Sequence, residues 1–254
     1  MKIITTVPVL LAITIKAYAQ NPTTKPTMTE KETKQKLEIA QEKTRQLFKE
    51  VEKRGLIVAG KSESQLVAEI VKIADEKFGA KEHWHKKIVR AGANTLETYS
   101  KNPPDRVIQK DDILFLDFGP NFEGWETDLG RTYVLGNDPA KIKIKKDAEA
   151  AFNEAKAWYN KQEKLTGVEF WNYLVDLAKR YGYEFGGDIG GHIIGYFPHE
   201  QPDIKGAMDL DVHPDNPVSI LSLDKQGHRR QWMLEIHFVD RAKGIGAFYE
   251  DFLN

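Results

Sequence analysis

The sequence predicts a single domain of the α+β class. Its 254 residues, 41% of them hydrophobic and 30% charged, are enough to bury a substantial core. Segments with helical periodicity open the chain, apolar strand-like segments follow, and both kinds then recur. This order differs from the regular strand–helix alternation of a parallel sheet, and the α+β class therefore fits it better.

The N-terminus has the composition of a secretory signal peptide. Lys2 precedes a short run of apolar residues, and Ala17-Tyr18-Ala19 has the small-residue pattern of a cleavage site. The run is too short for a membrane-spanning helix, which needs about 20 residues. We predict a signal peptide over 1–19, a polar tether over 20–30, and an exported chain, periplasmic or secreted, with no stable membrane insertion after cleavage. An N-terminal strand or an uncleaved anchor is the alternative.

Four segments have the spacing and the end signals of helices. Three begin with Ser or Thr followed three residues later by Glu or Gln, which is the pattern of a capping box. The three pairs are Thr29 with Glu32, Ser62 with Gln65, and Thr166 with Glu169. Gly79 and Gly182 follow the second and third of these segments and predict where they end. A further helix is predicted over 139–162.

Strands are predicted where short apolar runs carry β-branched or aromatic residues. These runs are 113–118, 131–135 and 232–240, with 246–253 as a fourth. Two of them contain a carboxylate among apolar neighbours, Asp117 in the first and Glu235 in the third. Each could face water on a half-exposed sheet, because side chains alternate along a strand.

Composition excludes several classes of protein. The chain has 37 Lys and Arg against 38 Asp and Glu, a formal net charge of −1, so we expect no nucleic-acid partner. It has no cysteine, which excludes disulfides, zinc fingers, iron–sulfur centres and cysteine nucleophiles.

The two strand carboxylates are joined by other ionisable residues of the kind that bind metals. Asp128 follows Asp117 by eleven positions, His192 lies in a Gly-rich segment, and Glu250 lies near the end of the chain. Four carboxylates would balance two divalent cations, and a mixture of carboxylate and imidazole suits Mn, Fe, Co or Zn. Spacing alone does not show that these strands converge.

These residues together resemble a known family. The segment DILFLDFG at 112–119 is followed by Gly124-Trp125, Asp128, Arg131-Thr132 and Gly136; GHIIG at 191–195 is followed by His199-Glu200 and Pro202; Met233 to Glu235 and Glu250-Asp251 come last. In this order and spacing they resemble the motifs of the pita-bread metallopeptidases, which include methionine aminopeptidase, aminopeptidase P, prolidase and creatinase-like members. The resemblance covers residues 31–254, which we expect to form the catalytic domain.

The resemblance implies a fold and a site. The fold would be the pita-bread (creatinase/aminopeptidase) fold, a curved antiparallel sheet covered by helices. Asp117 would bind one ion, His192 and Glu235 the other, and Asp128 and Glu250 would bridge both. Glu235 would also take the proton of the attacking water, and His199 would contact the substrate and stabilise the tetrahedral intermediate.

The sequence departs from the family in the loop before the first ligand strand. Family members carry a histidine there, whereas aligning 88–94 with that loop places Thr98 or Tyr99 at its position. His83 and His85 lie earlier in the chain and could reach the site only if the loop runs differently, so we predict a structural or substrate-rim role for them.

The resulting functional prediction is an exported peptidase that uses two divalent ions, Mn first and otherwise Co, Fe or Zn. It would remove N-terminal residues from short peptides, of the Xaa-Pro type, through a metal-bridged hydroxide. The alternatives are a creatinase-like, metal-independent hydrolase, a non-catalytic binding domain on the same fold, or an unrelated exported solute-binding or structural protein. A homodimer is left open.

Overall fold

A computed structural model describes residues 28–254. The predicted signal peptide and the tether up to residue 27 lie outside the described residues. Within 28–254, every helix is too short or too polar to cross a bilayer.

The four predicted helices are confirmed. They are α1 (Glu30–Lys53), α2 (Glu63–Phe78), α3 (Pro139–Tyr159) and α4 (Gly167–Tyr181). All three predicted capping boxes form, because each Ser or Thr side chain accepts the N–H of the residue three positions on. Gly79 and Gly182 end α2 and α4 in the left-handed conformation that glycine adopts without strain. The third helix ends at Tyr159, three residues before the predicted end.

The strands include the four predicted ones and several short ones that periodicity did not indicate. In chain order they are β1 (Glu82–His83), β2 (Ile88–Ala91), β3 (Ile113–Phe118), β4 (Pro120–Phe122), β5 (Trp125–Glu126), β6 (Leu129–Val134), β7 (Glu184–Phe185), β8 (Ile193–Ile194), β9 (Gln231–Asp240) and β10 (Ile245–Phe252). Residues 88–91, which the alignment assigned to a loop, therefore form a strand. Only four residues long and buried throughout, this strand lacks the alternation that would have revealed it.

The main sheet is antiparallel, in the order β2-β3-β6-β10-β9-β7, with β8 paired to β9. A smaller sheet is formed by β1, β4 and β5. The helices cover one face of the main sheet: α1 and α2 pack on the side chains of β3 such as Leu114 and Leu116, and α3 and α4 pack on those of β9 such as Leu234 and Ile236. This arrangement confirms the α+β class and leaves the other face free for a site.

The opposite face carries the ionisable strand residues in one transverse row. The strand register places Ile88 beside Asp117, Asp117 beside Gly130, Gly130 beside Glu250, and Glu250 beside Glu235. Residues directly opposite each other in a sheet point to the same face. A methyl group at Gly130 would lie 2.3 Å from a ring carbon of Phe248 and 2.9 Å from Cβ of Glu250, so only glycine leaves room in the middle of this row. We call this row the ligand row; three of its five positions, Asp117, Glu250 and Glu235, are predicted ligands.

Candidate metal centre

The structure brings the five predicted ligands together. His192 Nε2 lies 3.4 Å from Asp128 Oδ2, 3.5 Å from Glu250 Oε1 and 3.9 Å from Glu235 Oε1. Asp117 and Asp128 both lie near a second imidazole, that of His85. The side chains of all five residues are at least 87% buried. Neither Asp117 nor Glu235 faces water, so the half-exposed alternative is wrong for both.

The distances and the hydrogen bonding fit a divalent ion beside His192. Ligand atoms that share an ion at about 2.1 Å lie about 3 to 4 Å from one another, as these do. His192 Nδ1 lies 2.8 Å from the backbone oxygen of Ile193. Because that oxygen can only accept, Nδ1 carries a proton, and Nε2 is the atom that would bind an ion. Metal-binding histidines are commonly oriented in this way.

A buried oxygen without a partner marks the other half of the cluster. Within the described residues, Asp117 Oδ1 has no hydrogen-bond partner and is shielded from solvent. A buried carboxylate oxygen without a donor is costly unless a cation binds it. The donor set thus fits the pair of ions that the family resemblance implies.

The pKa values of the four carboxylates also suit a site for cations. Burial raises the pKa of Asp117 to about 7 and that of Glu235 to about 8. Burial, together with the charge of Asp128, raises the pKa of Glu250 well above its ordinary value. Burial opposes ionisation of Asp128 as well, but His85 and His192 outweigh it and hold its pKa below the ordinary value. Divalent cations would let all four carboxylates ionise at neutral pH.

The structure places His85 at the cluster, a position that the sequence did not indicate. His85 Nε2 lies 3.1 Å from Asp128 Oδ1 and 3.8 Å from Asp117 Oδ1, and the side chain is 94% buried. It comes from the segment after β1, which the small sheet holds against the start of β4 through Trp84 N–H and the Gly119 oxygen, 3.1 Å apart. Sequence alignment missed it because β1 and its pairing are visible only in three dimensions.

Gly119 makes this position available. A methyl group at Gly119 would lie 2.1 Å from two atoms of the His85 ring, so any other residue would displace the imidazole. His83 points elsewhere: it packs edge-on against Phe118, 6.0 Å between ring centres, and neither ring nitrogen has a partner among the described residues. His83 thus packs against the core rather than against the cluster. Tyr99, at the aligned position of the family histidine, lies on the wall of the cavity, 6.1 Å from the His85 ring.

His199 is anchored by a carboxylate that sequence reasoning missed. Its Nδ1 lies 2.9 Å from Glu126 Oε2, and its backbone N–H donates to Oε1 of the same carboxylate at 3.1 Å. Glu126 is fully buried and also accepts the N–H of Gly195 at 2.9 Å. Because the carboxylate can only accept, His199 Nδ1 carries a proton and Nε2 is left for a ligand. Glu126 lies two residues before Asp128 in the recognised motif, which was its only sequence signal.

Trp84 is the second residue that sequence reasoning missed. Its ring packs edge-on against His85, His192 and His199 at 4.7, 5.3 and 5.4 Å between ring centres. Its Nε1–H donates to the backbone oxygen of Thr127 at 2.8 Å, which fixes the ring in place. One indole thus packs against all three imidazoles at the site.

A cavity of about 250 Å³ opens onto the cluster. Its wall includes the five predicted ligands together with His85 and His199. Further carboxylates of the wall are Glu97, Asp188 and Asp211, so the cavity is strongly acidic. Such a wall favours a cationic group, such as the ammonium of a peptide N-terminus.

The sequence as a whole matches a known family. The family model of the M24 metallopeptidases, Peptidase_M24, matches residues 18–245. The chain therefore belongs to metallopeptidase family M24. This excludes the alternative of a protein unrelated to the family. A protein of Mycoplasma genitalium named as a Xaa-Pro aminopeptidase is 25% identical over 138 residues, which are 52% of this chain and 38% of that protein.

Solved structures of the family share the fold. The prolidase of Thermococcus sibiricus has a TM-score of 0.69 and 23% identity, over 87% of this chain and 56% of that one. The X-Pro aminopeptidase of Thermotoga maritima has a TM-score of 0.70 and 20% identity, over 89% and 61%. The methionine aminopeptidase of Rickettsia prowazekii has a TM-score of 0.65 and 14% identity, over 89% and 93%. These similarities confirm the pita-bread fold. The chain spans less than two thirds of the length of the first two structures.

Proposed function

We propose that this protein is a dinuclear metal-dependent peptidase that removes N-terminal residues from short peptides, of the Xaa-Pro type. The observation that carries the proposal is the convergence of four buried carboxylates with His192 and His85 at the base of one cavity. The names of the relatives, prolidase and Xaa-Pro aminopeptidase, favour the Xaa-Pro preference over other peptides.

The residues that would hold the ions divide into two overlapping sets. His192 and Glu235 would bind one ion, Asp117 and His85 the other, and Asp128 and Glu250 would lie between them. When bound, such a pair of ions supplies a hydroxide at neutral pH and polarises the scissile carbonyl. His85 would thus add a nitrogen ligand to an ion site that the resemblance predicted from carboxylates alone. Manganese is the first candidate, and cobalt, iron or zinc also suits this donor set.

The protein's own groups would carry the proton transfers and position the substrate. Glu235 would take the proton of the attacking water, because it lies in the ligand row at the edge of the cluster. His199, held by Glu126 through Nδ1, would donate from Nε2 to the oxygen that becomes negative in the tetrahedral intermediate when both ring nitrogens carry a proton. The acidic wall would hold the N-terminal ammonium of the peptide.

The test is hydrolysis of a peptide panel by the manganese-loaded chain, with products identified by mass spectrometry. The panel contains Xaa-Pro dipeptides, Xaa-Pro tripeptides and matched peptides without Pro. We expect release of the N-terminal residue and loss of activity after chelation. Hydrolysis that persists in the chelated protein would instead support the creatinase-like, metal-independent alternative, and no hydrolysis of any peptide would support the binding domain.

Export is a separate part of the proposal. It rests on the basic start, the short apolar run and the Ala17-Tyr18-Ala19 pattern. Expression of the full chain with a C-terminal tag should give a product whose N-terminus is Gln20, recovered outside the cytoplasm. A product that keeps residues 1–19 in the cytoplasm would contradict export and leave the proposed chemistry intact.

A further inference from the structure

The line between β6 and β10 carries both residues that would lie between the two ions. Asp128 directly precedes β6, and Glu250 lies on β10. Within 28–254, the register between these two strands consists of the single pair Gly130 with Glu250. We call this line, with residues 128–132 on one side and 248–251 on the other, the seam. The ladder contributes little here, so other groups must hold the two carboxylates at their separation.

The backbone of Asp128 lies outside every strand. β5 ends at Glu126 and β6 begins at Leu129, and the ladder between β3 and β6 ends with the pair of Phe118 and Leu129. Asp128 is only 3% exposed, so its N–H and C=O are shielded from water. A buried backbone group without a partner costs about as much as a lost hydrogen bond. The backbone of this residue therefore needs a side chain as its partner.

Gln41 of α1 supplies both partners. Its Oε1 accepts the Asp128 N–H at 3.1 Å, and its Nε2 donates to the Asp128 backbone oxygen at 2.5 Å. Nε2 also donates to Asp251 Oδ1 at 3.1 Å. These three contacts fix the orientation of the amide, because its nitrogen can only donate and its oxygen can only accept. Gln41 is fully buried, and all its contacts are made to the seam.

Asp251 extends this contact to the other side of the seam. It follows Glu250 directly along β10, and its Oδ2 accepts from Arg131 Nη2 at 2.6 Å. Arg131 Nη1 in turn donates to the backbone oxygen of Glu250 at 2.5 Å. Side chains thus hold the seam where the ladder does not. Within this group, Gln41 is the residue that contacts the backbone of Asp128.

We propose that Gln41 is a positioning residue that sets the distance between Asp128 and Glu250 and thereby the affinity for both ions. This inference rests on the proposed function, because these two carboxylates would lie between the ions. A metal site tolerates a misplacement of its ligands of only about 0.5 Å. Loss of the Gln41 contacts should therefore weaken both ions together, whereas His85 and His192 would each contact one ion.

Thr44 offers a matched control on the same helix. It lies three residues after Gln41, is also fully buried, and donates to Thr127 Oγ1 at 2.7 Å. Thr44→Val keeps the shape of the side chain and removes this hydrogen bond between α1 and the residue before Asp128. If Gln41 served only to dock α1, Thr44→Val should have the same effect as a change of Gln41.

The first test measures metal affinity rather than hydrolysis. Gln41→Met removes the amide at nearly the same length, and Gln41→Glu keeps its shape but replaces the N–H donors by a carboxylate. Titration with cobalt, followed by visible absorption, should show both ions weakened by about 10-fold or more in either variant, with an altered spectrum of the bound cobalt. Thr44→Val should stay within about twofold of the wild-type chain. Unchanged binding of both ions in Gln41→Met, or an equal loss in Thr44→Val, would overturn the proposal.

The second test uses the unchanged chain, so it does not depend on whether a variant folds. If α1 helps to place the ligands, bound ions must stabilise the docking of α1 by the same factor. Manganese should therefore slow amide hydrogen exchange in the buried part of α1, residues 37–51, by about 10-fold or more. In α4, which packs on α3 and β7, the slowing should be smaller. The comparison uses amides that exchange through local opening, and equal slowing in both helices would contradict the proposal.

A failure of the proposed function would give a different result. If the wild-type chain binds two ions but hydrolyses no peptide, the peptidase function is wrong, and the cobalt titrations of the Gln41 and Thr44 variants still decide the role of Gln41. If the wild-type chain binds no metal, the dinuclear site and the role of Gln41 are both wrong. If the wild-type chain is active and Gln41→Met binds both ions equally well, only the role of Gln41 is wrong.

Discussion

The two imidazoles of the metal cluster reach it by different routes. His192 comes from a Gly-rich segment beside β8, and a backbone oxygen holds its Nδ1 at 2.8 Å. His85 comes from the small sheet, and its Nδ1 is buried without a partner among the described residues. The ring of His85 is kept in place by packing against Trp84 and by the space above Gly119. The first imidazole is thus oriented by a hydrogen bond to the backbone, and the second by packing and by its contact with Asp128 Oδ1 at 3.1 Å.

This difference indicates that the fold holds the half of the site around His192 more firmly than the half around His85. A hydrogen bond to the rigid backbone sets both the tautomer and the direction of His192. His85 depends on aromatic packing and on one glycine, so small changes of the small sheet should alter its position. Of the two proposed ions, we therefore expect the one that Asp117 and His85 would hold to be the more weakly bound.

The largest expected effect comes from the residue that both halves share. Asp128 lies 3.1 Å from His85 and 3.4 Å from His192, so Asp128→Ala would remove a ligand from each of the two proposed ions. We expect both ions to be lost and peptide hydrolysis to fall to background, with the fold retained as judged by circular dichroism. Normal turnover in this variant would contradict the whole assignment of the site.

The third imidazole should separate catalysis from metal binding. His199 is bound to Glu126 rather than to the cluster. His199→Ala should lower kcat by about 10²- to 10³-fold, the usual cost of losing one donor to the developing oxyanion, while both ions remain bound. Metal content measured on the same preparation is the control, and loss of an ion would mean that His199 is a ligand.

Variants of the two cluster imidazoles test whether His192 and His85 bind different ions. His192→Ala and His85→Ala should each weaken one ion by at least about 10- to 100-fold, and each should leave the other bound. Titration of cobalt followed by its visible absorption reports the two sites separately. Unchanged cobalt binding in His85→Ala would remove His85 from the ligand set and restore the carboxylate-only site.

Gly119→Ala is the milder version of the second change. Its added methyl group would lie 2.1 Å from the His85 ring and 2.5 Å from Trp84 Nε1. It should weaken the same ion as His85→Ala, by about tenfold or less, and leave the ion at His192 unchanged. Equal weakening of both ions would show that the two halves are not independent.

The smallest expected effect is a pH dependence of the metal-free protein. The pKa values of Asp117 and Glu235 are raised to about 7 and about 8, so their protonated forms favour the folded state. This stability is present below pH 4 and is lost as pH rises towards 8, because the buried carboxylates must then ionise. Chelation should therefore lower Tm more at pH 8 than at pH 6. Glu235→Gln should reduce this difference, and an equal loss of Tm at both values would argue against the raised pKa values.

The sequence was most informative where local rules apply. The capping boxes at Thr29, Ser62 and Thr166 and the terminal Gly79 and Gly182 depend on neighbouring residues, and those helices form as predicted. The α+β class followed from the order of the periodic segments. The fold family and the five clustered residues came from motif spacing, which carries the long-range information that periodicity lacks.

The features of the site that the sequence did not predict depend on contacts between distant segments. The position of His85 could not be predicted, because it follows from the pairing of β1 with β4. Glu126 lies inside the recognised motif, but its bond to His199 joins residues 73 positions apart. Long-range pairing of this kind leaves no local pattern in one sequence.

The most direct test of the central claim is one titration of the metal-free chain with manganese, in which bound metal and hydrolysis of alanyl-proline are measured at each point. We predict that two ions bind per chain, that hydrolysis is absent without metal and that it reaches its maximum only as the cluster fills. Full hydrolysis by the metal-free chain would contradict this assignment. So would a chain that binds no manganese even at the highest manganese concentration.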